Sequence, residues 1–378
     1  MNYLEISSLI TFHSWISGLG IVTSLFVIII FILCIYILSY LYIVNKRESK
    51  FERWKFISDT LIRKSIFFEE DQSSSSGNLL LKVLEVNTFP IPDRVNKLLQ
   101  NPHFKHVLIR DLIAARQNMT GAAGQNLKDL FKQLELDKEV ILMVKSNSWY
   151  LKAAGIQYLG VMEMVEYKNL ILPYVNNIRG LIRVEAQNTV VKFSGFEGLR
   201  FLDTAAFPIT EWQQIKLLEE LSQLPGENFI GIDKWLKSSN YSVVIFALKL
   251  ARNYFRFELY DNVISCLRHK NDEVRRQAIL AAKELQTAAT ASDLIKFYSL
   301  ENEKNKLAII KVLEDVGTDA EFSFLFAILD KASNQLKMAA AKAIAAIGDA
   351  GMENLESYPN ADRYPYNQII SQVKAEMK

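Results

Sequence analysis

Few side chains of this sequence stand at spacings that could do chemistry. His103 and His106 are the only close pair among four histidines. Three residues apart on a helix, two ring nitrogens share a face and could ligate zinc, but a site needs three or four ligands and only Asp111 lies nearby. They read as surface histidines. Glu69-Glu70-Asp71 and Glu219-Glu220 bring carboxylates together, yet a catalytic pair needs burial to drive its two pKa values apart. The first set lies in a serine-rich stretch and the second beside Lys216, so both read as solvated. The sequence has no glycine-rich phosphate loop followed by Lys and Ser or Thr, and none of the patterns G-x-S-x-G, H-E-x-x-H or C-x-x-C. Cys34 and Cys266 fit neither a disulfide framework nor a metal pair, in keeping with a reducing compartment. No catalytic residue, cofactor, metal or small-molecule substrate is expected.

One polar set does follow a rule. Arg275, Lys306 and Lys337 stand 31 residues apart, each three residues before a core position, and Arg183 bears the same relation to Ala186. Asp272 and Glu303 run in parallel three residues ahead of the cations, with Asn334 completing their row. Two readings are open. In one, each cation meets the carboxylate of its own or the neighbouring turn while the acidic residue caps a helix N-terminus, giving a ladder between repeats. In the other, Arg183, Arg275, Lys306 and Lys337 form a basic strip that receives an acidic segment of a protein partner.

The same stride governs the apolar residues that must position this set. Leu170, Phe201, Ile232, Val263, Leu294 and Leu325 stand 31 apart, and Tyr174, Ala205, Leu236, Leu267, Tyr298 and Leu329 repeat the stride four residues later. These are adjacent points on one helical face. A partner helix recurs with one apolar stripe, at Val243, Ala247, Leu250 and Tyr254, then Val274, Ala278, Ala281 and Leu285. It returns at Asn305, Ile309, Val312 and Val316, and at Leu336, Ala340, Ala343 and Ile347, with Asn305 its one polar member. A helix of this kind cannot bury its stripe alone, so successive helix pairs must stack. Two departures stand out. Pro173 should kink or shorten a first helix, and near 182–186 and 212–215 the apolar register shifts by about one residue against the later repeats.

The run Asn271-Asp272-Glu273-Val274-Arg275-Arg276-Gln277-Ala278, read with the helix before it, resembles the second helix of a HEAT repeat, and residues 166–348 resemble six such repeats. The unit is shorter than the general HEAT length of roughly 40 to 47 residues and is similar to the compact HEAT-like repeats common in bacteria. The resemblance implies an all-α chain forming an α-solenoid of HEAT-like helix pairs, a fold that mostly serves as a binding surface. It leaves open a HEAT-like enzyme, a lyase or a nucleic-acid repair type, with a site on the concave face.

Ahead of the repeats, Gly18 to Val44 is a run of 27 residues with no charge and no proline. As a helix it is about 40 Å long, enough to cross a hydrocarbon core of about 30 Å. Residues 1–45 are thus expected to be a short external N-terminus and a transmembrane helix. Lys46, Arg47, Lys50, Arg53 and Lys55 follow the run and nothing basic precedes it, which places the remainder in the cytoplasm, as in a bacterial inner-membrane protein with one span. Trp15 and Trp54 stand where aromatic side chains favour the two interfaces. Residues 46–68 carry seven basic and three acidic side chains among aromatic and aliphatic ones. They are either an interfacial helix on anionic headgroups or stop-transfer charges followed by a helix docked on the solenoid.

Residues 69–78 read as a flexible linker and 79–165 as an irregular helical start of the solenoid, with a separate small domain as the alternative. Candidate helices there are 79–86, 93–100, 103–118, 126–134 and 137–144, broken by Pro90, Pro92, Pro102 and a loop at Gly121 and Gly124. Residues 349–378, interrupted by Pro359 and Pro365, read as a C-terminal cap. From residue 69 onward 37 basic side chains face 38 acidic ones, so no nucleic-acid partner is expected. The expected role is a membrane-anchored scaffold that binds protein, such as a membrane enzyme or transporter, and touches lipid through residues 18–44.

Overall fold

The computed structural model describes residues 3–67, 89–222, 224, 230–348 and 350–377, and of residues 3–25 and 27 the backbone alone. Every regular element among them is helical. The chain divides into two compact units, Met1–Glu139 and Val140–Lys378. The expected linker 69–78 and helix 79–86 lie outside the described residues.

In the first unit, α1 (Tyr3–Ile66) is one unbroken helix, about 95 Å long at roughly 1.5 Å per residue. The charge-free run and the basic stretch are therefore parts of a single rod. From Phe26 to Ile43 its described large apolar side chains are exposed, and its mean hydropathy reaches 2.5, enough in length and composition to cross a membrane. Further on the exposure changes. After α2 (Asp93–Leu98), α3 (Pro102–Gln117) and α4 (Gly121–Gln133) pack on α1, whose Ser58, Leu61, Ile62 and Ser65 are buried. Asn101 caps α3 by accepting from the His103 N–H at 3.0 Å, and Pro102 takes the first helical position, where its missing N–H costs nothing. Of the loop expected at Gly121 and Gly124, Gly121 turns the chain into α4 with φ +63°, whereas Gly124 lies inside the helix. A Cβ on Gly124 would lie 3.0 Å from the Met119 carbonyl oxygen, so this glycine makes room for the connection that leads into α4. Gln133 clamps the returning chain: the Phe89 N–H donates to Oε1 at 2.8 Å and Nε2 donates to the Phe89 carbonyl at 2.9 Å.

The unit boundary falls within α5 (Leu136–Lys145). The second unit opens with α6 (Trp149–Val161) and continues as helix pairs: α7 (Lys168–Ile171) with α8 (Gly180–Ser194), then a 3-10 segment (Gly195–Thr204) with α9 (Glu211–Leu221). Next come α10 (Ile232–Trp235) with α11 (Tyr241–Asn253), and α12 (Tyr260–Ser265) with α13 (Asp272–Glu284). The last pairs are α14 (Thr290–Tyr298) with α15 (Glu303–Val316), and α16 (Phe322–Lys331) with α17 (Asn334–Ala346), closed by α18 (Gly351–Glu356) and α19 (Tyr366–Glu376). Pro173 lies in a 3-10 turn, Leu172–Tyr174, that ends the four-residue α7.

Most of the periodic residues form the interior, while Leu170, Tyr174, Ala205 and Tyr298 are half-buried. Phe201, Ile232, Val263, Leu294 and Leu325 are buried, as are all the stripe residues of α11, α13, α15 and α17 except the half-buried Tyr254 and Val316. Second helices pack on their neighbours in sequence, α6 on α8 and α13 on α15 among them. One buried cluster runs from Val191 to Val373, a core extended along the stack. Side-chain bonds recur at close to the same interval. Tyr254 Oη donates to the Leu221 carbonyl at 2.9 Å, 33 residues back, and Asn302 Nδ2 donates to Asp272 Oδ2 at 3.3 Å, 30 back.

The register shift is also present. Leu181 and Trp212, which hold the stride of the buried Val243, Val274 and Leu336, are exposed, while their successors Ile182 and Gln213 are buried. The polar groups this draws inward bond to one another. Gln213 donates to Gln187 Oε1, Gln187 Nε2 donates to the Val175 carbonyl at 2.7 Å, and the Ile209 N–H donates to Ser242 Oγ at 2.8 Å.

Candidate partner-binding face

Arg183 and each cation of the 31-residue row sit in the first turn of a second helix, and three of the four reach back to the carbonyls of the chain leading into that helix. Arg183 Nη1 donates to the carbonyls of Asn177 at 2.7 Å and Ile178 at 3.3 Å, and its guanidinium lies 4.2 Å from the Phe207 ring centroid. Burial pulls its pKa below the ordinary arginine value. Arg275 Nη1 donates to the carbonyls of His269 at 2.9 Å and Lys270 at 3.2 Å, while Nε reaches Glu301 Oε1 at 2.7 Å. Lys337 Nζ donates to the Asp330 carbonyl at 3.2 Å and the Tyr366 hydroxyl at 3.0 Å. Lys306 differs, its ammonium lying 5.5 Å from the Tyr298 ring centroid. The row thus ties turns to helices and, through Phe207, Glu301 and Tyr366, one repeat to the next.

The parallel acidic row takes a different role. The residues that cap α13 and α15 are Asn271 and Asn302, accepting from the N–H groups of Glu273 at 2.9 Å and Asn305 at 2.9 Å. Asp272 and Glu303, one position further on, accept instead from Asn302 and Ser333 of the following repeat. Asn334 opens α17. The carboxylate that meets Arg275 is Glu301, which lies off the 31-residue stride. The signal for it in the sequence is Asn305: a polar residue at a core position needs a partner, and its Nδ2 donates to Glu301 Oε2 at 2.8 Å.

Beside Lys306 a cleft of about 470 Å³ opens among Tyr298, Glu303, Lys331, Ser333 and Leu336. Its aromatic and aliphatic wall with two lysines and one carboxylate suits a side chain that is apolar along its length and charged at its end.

At the other end of the chain, Lys46 lies 5.8 Å from the Tyr42 ring and Lys50 4.7 Å from the Trp54 ring. Arg53 Nε donates to the Ser49 carbonyl at 3.1 Å, and Arg47 and Lys55 are exposed. Trp54 is half-buried, its ring 6.0 Å from Phe104 of α3 and edge-on to it. Trp15 lies on α1, its side chain outside the described residues. His103 and His106 are exposed on α3, and among the described residues no group of three or more His, Cys, Asp or Glu is arranged to hold a metal ion.

Residues 260–345 match the family model of HEAT repeats. That stretch spans α12 to the last turn of α17 and contains Arg275, Lys306 and Lys337. No curated protein matches the chain. HEAT repeats generally mediate protein–protein interaction, which supports a scaffold with protein partners.

Proposed function

We propose that this chain is a membrane-anchored scaffold. α1 crosses a bacterial inner membrane with its N-terminus outside, and the stack of helix pairs holds a protein partner in the cytoplasm, an enzyme or transporter of the same membrane. The observation that carries the reading is the match of residues 260–345 to HEAT repeats, in a stretch whose hydrogen bonds tie each repeat to the next and whose side chains face outward at a fixed interval. Such a surface suits an extended partner better than a small substrate. The basic cluster Lys46 to Lys55 after the charge-free run supports the orientation. Tethering raises the effective concentration of the pair, so that a weak interface is sufficient.

Arg183, Arg275 and Lys337 hold the stack together and offer the partner their remaining donors. Lys306, at the mouth of its cleft, is placed to receive a carboxylate. The test is photocrosslinking from position 331 of the full chain in its native membrane, followed by identification of what is attached. The wild type should yield one discrete protein, and Lys306→Glu should lose it with an unchanged melting temperature. Reproducible lyase or hydrolase turnover by the purified chain overturns the assignment.

A further inference from the structure

Second helices that pack side by side in the same sense begin along one edge of the stack. For α6, α8, α9 and α11 that edge is continuous. The Arg179 guanidinium lies 5.9 Å from the Trp149 ring centroid, and Asn176 Nδ2 donates to the Thr204 carbonyl at 2.9 Å. Asn240 Nδ2 then donates to the Phe207 carbonyl at 3.1 Å. Along this edge Trp149, Tyr150, Ile178, Leu181, Trp212 and Tyr241 are exposed, Ile178 by 82% and Trp212 by 68%. At the later helix starts the corresponding side chains are Lys270, Asp272, Glu303 and Lys304. Leu300, before α15, is the one large apolar side chain exposed at these later starts, so the apolar patch is concentrated at the earlier turns.

Two of its residues owe their exposure to the register shift. Had α8 and α9 kept the register of the later repeats, Leu181 and Trp212 would be core residues. Instead they face outward, and Gln187 and Gln213 occupy the interior. A sequence that departs from its own rule at this cost marks a working surface. Cations sit on its rings: Lys152 lies 4.8 Å from Tyr174, Arg179 stands over Trp149, and Lys216 lies 5.5 Å from Trp212. None of the three is in an ion pair among the described residues. The acidic side chains on the same helix starts are Glu185 and Glu211, so the edge is net basic.

We infer that this edge docks on an anionic bilayer surface. Trp and Tyr rings with Lys and Arg beside them match the headgroup boundary, where one end of each side chain is apolar and the other wet. An amphipathic peptide helix needs a groove with walls, whereas here the most exposed residue, Ile178, protrudes from a turn, which suits a yielding planar surface. The inference rests on the reading of α1 as a span, which keeps the stack within reach of headgroups.

The test uses the full chain reconstituted into vesicles containing brominated phosphatidylcholine, with or without phosphatidylglycerol. Trp212 emission is isolated as the difference between wild type and Trp212→Phe, an exposed position whose replacement leaves the fold intact by circular dichroism. Bromine should quench that difference when phosphatidylglycerol is present and spare it when absent. Neutralising Arg179 or Lys216 to Gln should lower the ratio of docked to free edge about fivefold each. A chain that floats with the vesicles but keeps unquenched Trp212 emission overturns the docking alone, including the case in which protein covers the edge. A chain that fails to float with any vesicle overturns the anchor and the docking together.

Discussion

Arg275 Nε donates to Glu301 Oε1 at 2.7 Å, and the Glu301 side chain is only 1% exposed. The pair joins α13 to the turn before α15, two consecutive repeats. Removing one partner of a buried pair leaves the other charged and unsolvated, so Arg275→Ala should cost about 3 kcal/mol of unfolding free energy in urea denaturation. Arg275→Met with Glu301→Gln removes both charges, keeps an acceptor for the Asn305 amide, and should recover most of that loss. Equal destabilisation by the single and double variants would show that the pair contributes nothing through its charges.

Asn305 is the polar member of an otherwise apolar stripe, and Asn305→Leu would restore the sequence pattern. The structure makes the opposite prediction to that pattern. Asn305 is 1% exposed, and its amide donates to the Asp272 carbonyl at 3.1 Å and to Glu301 Oε2 at 2.8 Å. Leucine would leave both acceptors short of a donor, at about 1 to 3 kcal/mol. The leucine variant should therefore melt below the wild type, and a higher melting temperature would refute this account of the site.

Translation along a stack repeats the same environment at each step, which is why Val263, Leu294 and Leu325 announce their burial through spacing alone. The charge-free run of α1 is legible for a similar reason, since length and composition suffice. Contacts made off the stride are not legible. Glu301 stands 26 residues beyond Arg275, a separation set by the turn and not by the helix. The slip in register near Trp212 is visible in the sequence, but the pairing of Gln187 with Gln213 that accompanies it depends on how α8 and α9 meet. Gly124 misleads because a glycine inside a helix that admits a nearby carbonyl looks the same as one that ends a helix. Trp54 is ambiguous for a deeper reason: an amphipathic basic helix has one composition whether its apolar side meets lipid or α3.

Burial pushes the Cys266 thiol up to about 11. The folded state keeps this proton where the unfolded chain, with its ordinary value near 9.0, releases it. The stabilisation is therefore complete below pH 9 and is lost as pH rises toward 11. Cys266→Ala removes this group, with a roughly constant cost of about 1 kcal/mol from the lost sulfur. The wild type's advantage of about 1 kcal/mol at pH 8 should fall by up to about 2 kcal/mol by pH 11, so that the variant becomes the more stable of the two. A gap independent of pH would mean that the thiol ionises alike in both states.

Charge and packing along α1 can be separated by two sets of variants. Lys46, Arg47, Lys50, Arg53 and Lys55 lie on the solvent side of the rod or stack on its own rings, so changing all five to Gln leaves the contacts with α3 and α4 in place. That variant should lose its fixed orientation, and in sealed inverted membrane vesicles a fraction of its stack should become protected from protease. Trp54→Ala does the reverse. It removes a half-buried ring packed edge-on against Phe104, at a cost of about 2 kcal/mol to the first unit, while the cations that orient the chain remain. Its stack should stay fully accessible to protease in the same vesicles, with earlier cleavage near α3 on warming. If Trp54→Ala inverted the chain and the glutamine variant did not, the ring and not the charges would set the orientation.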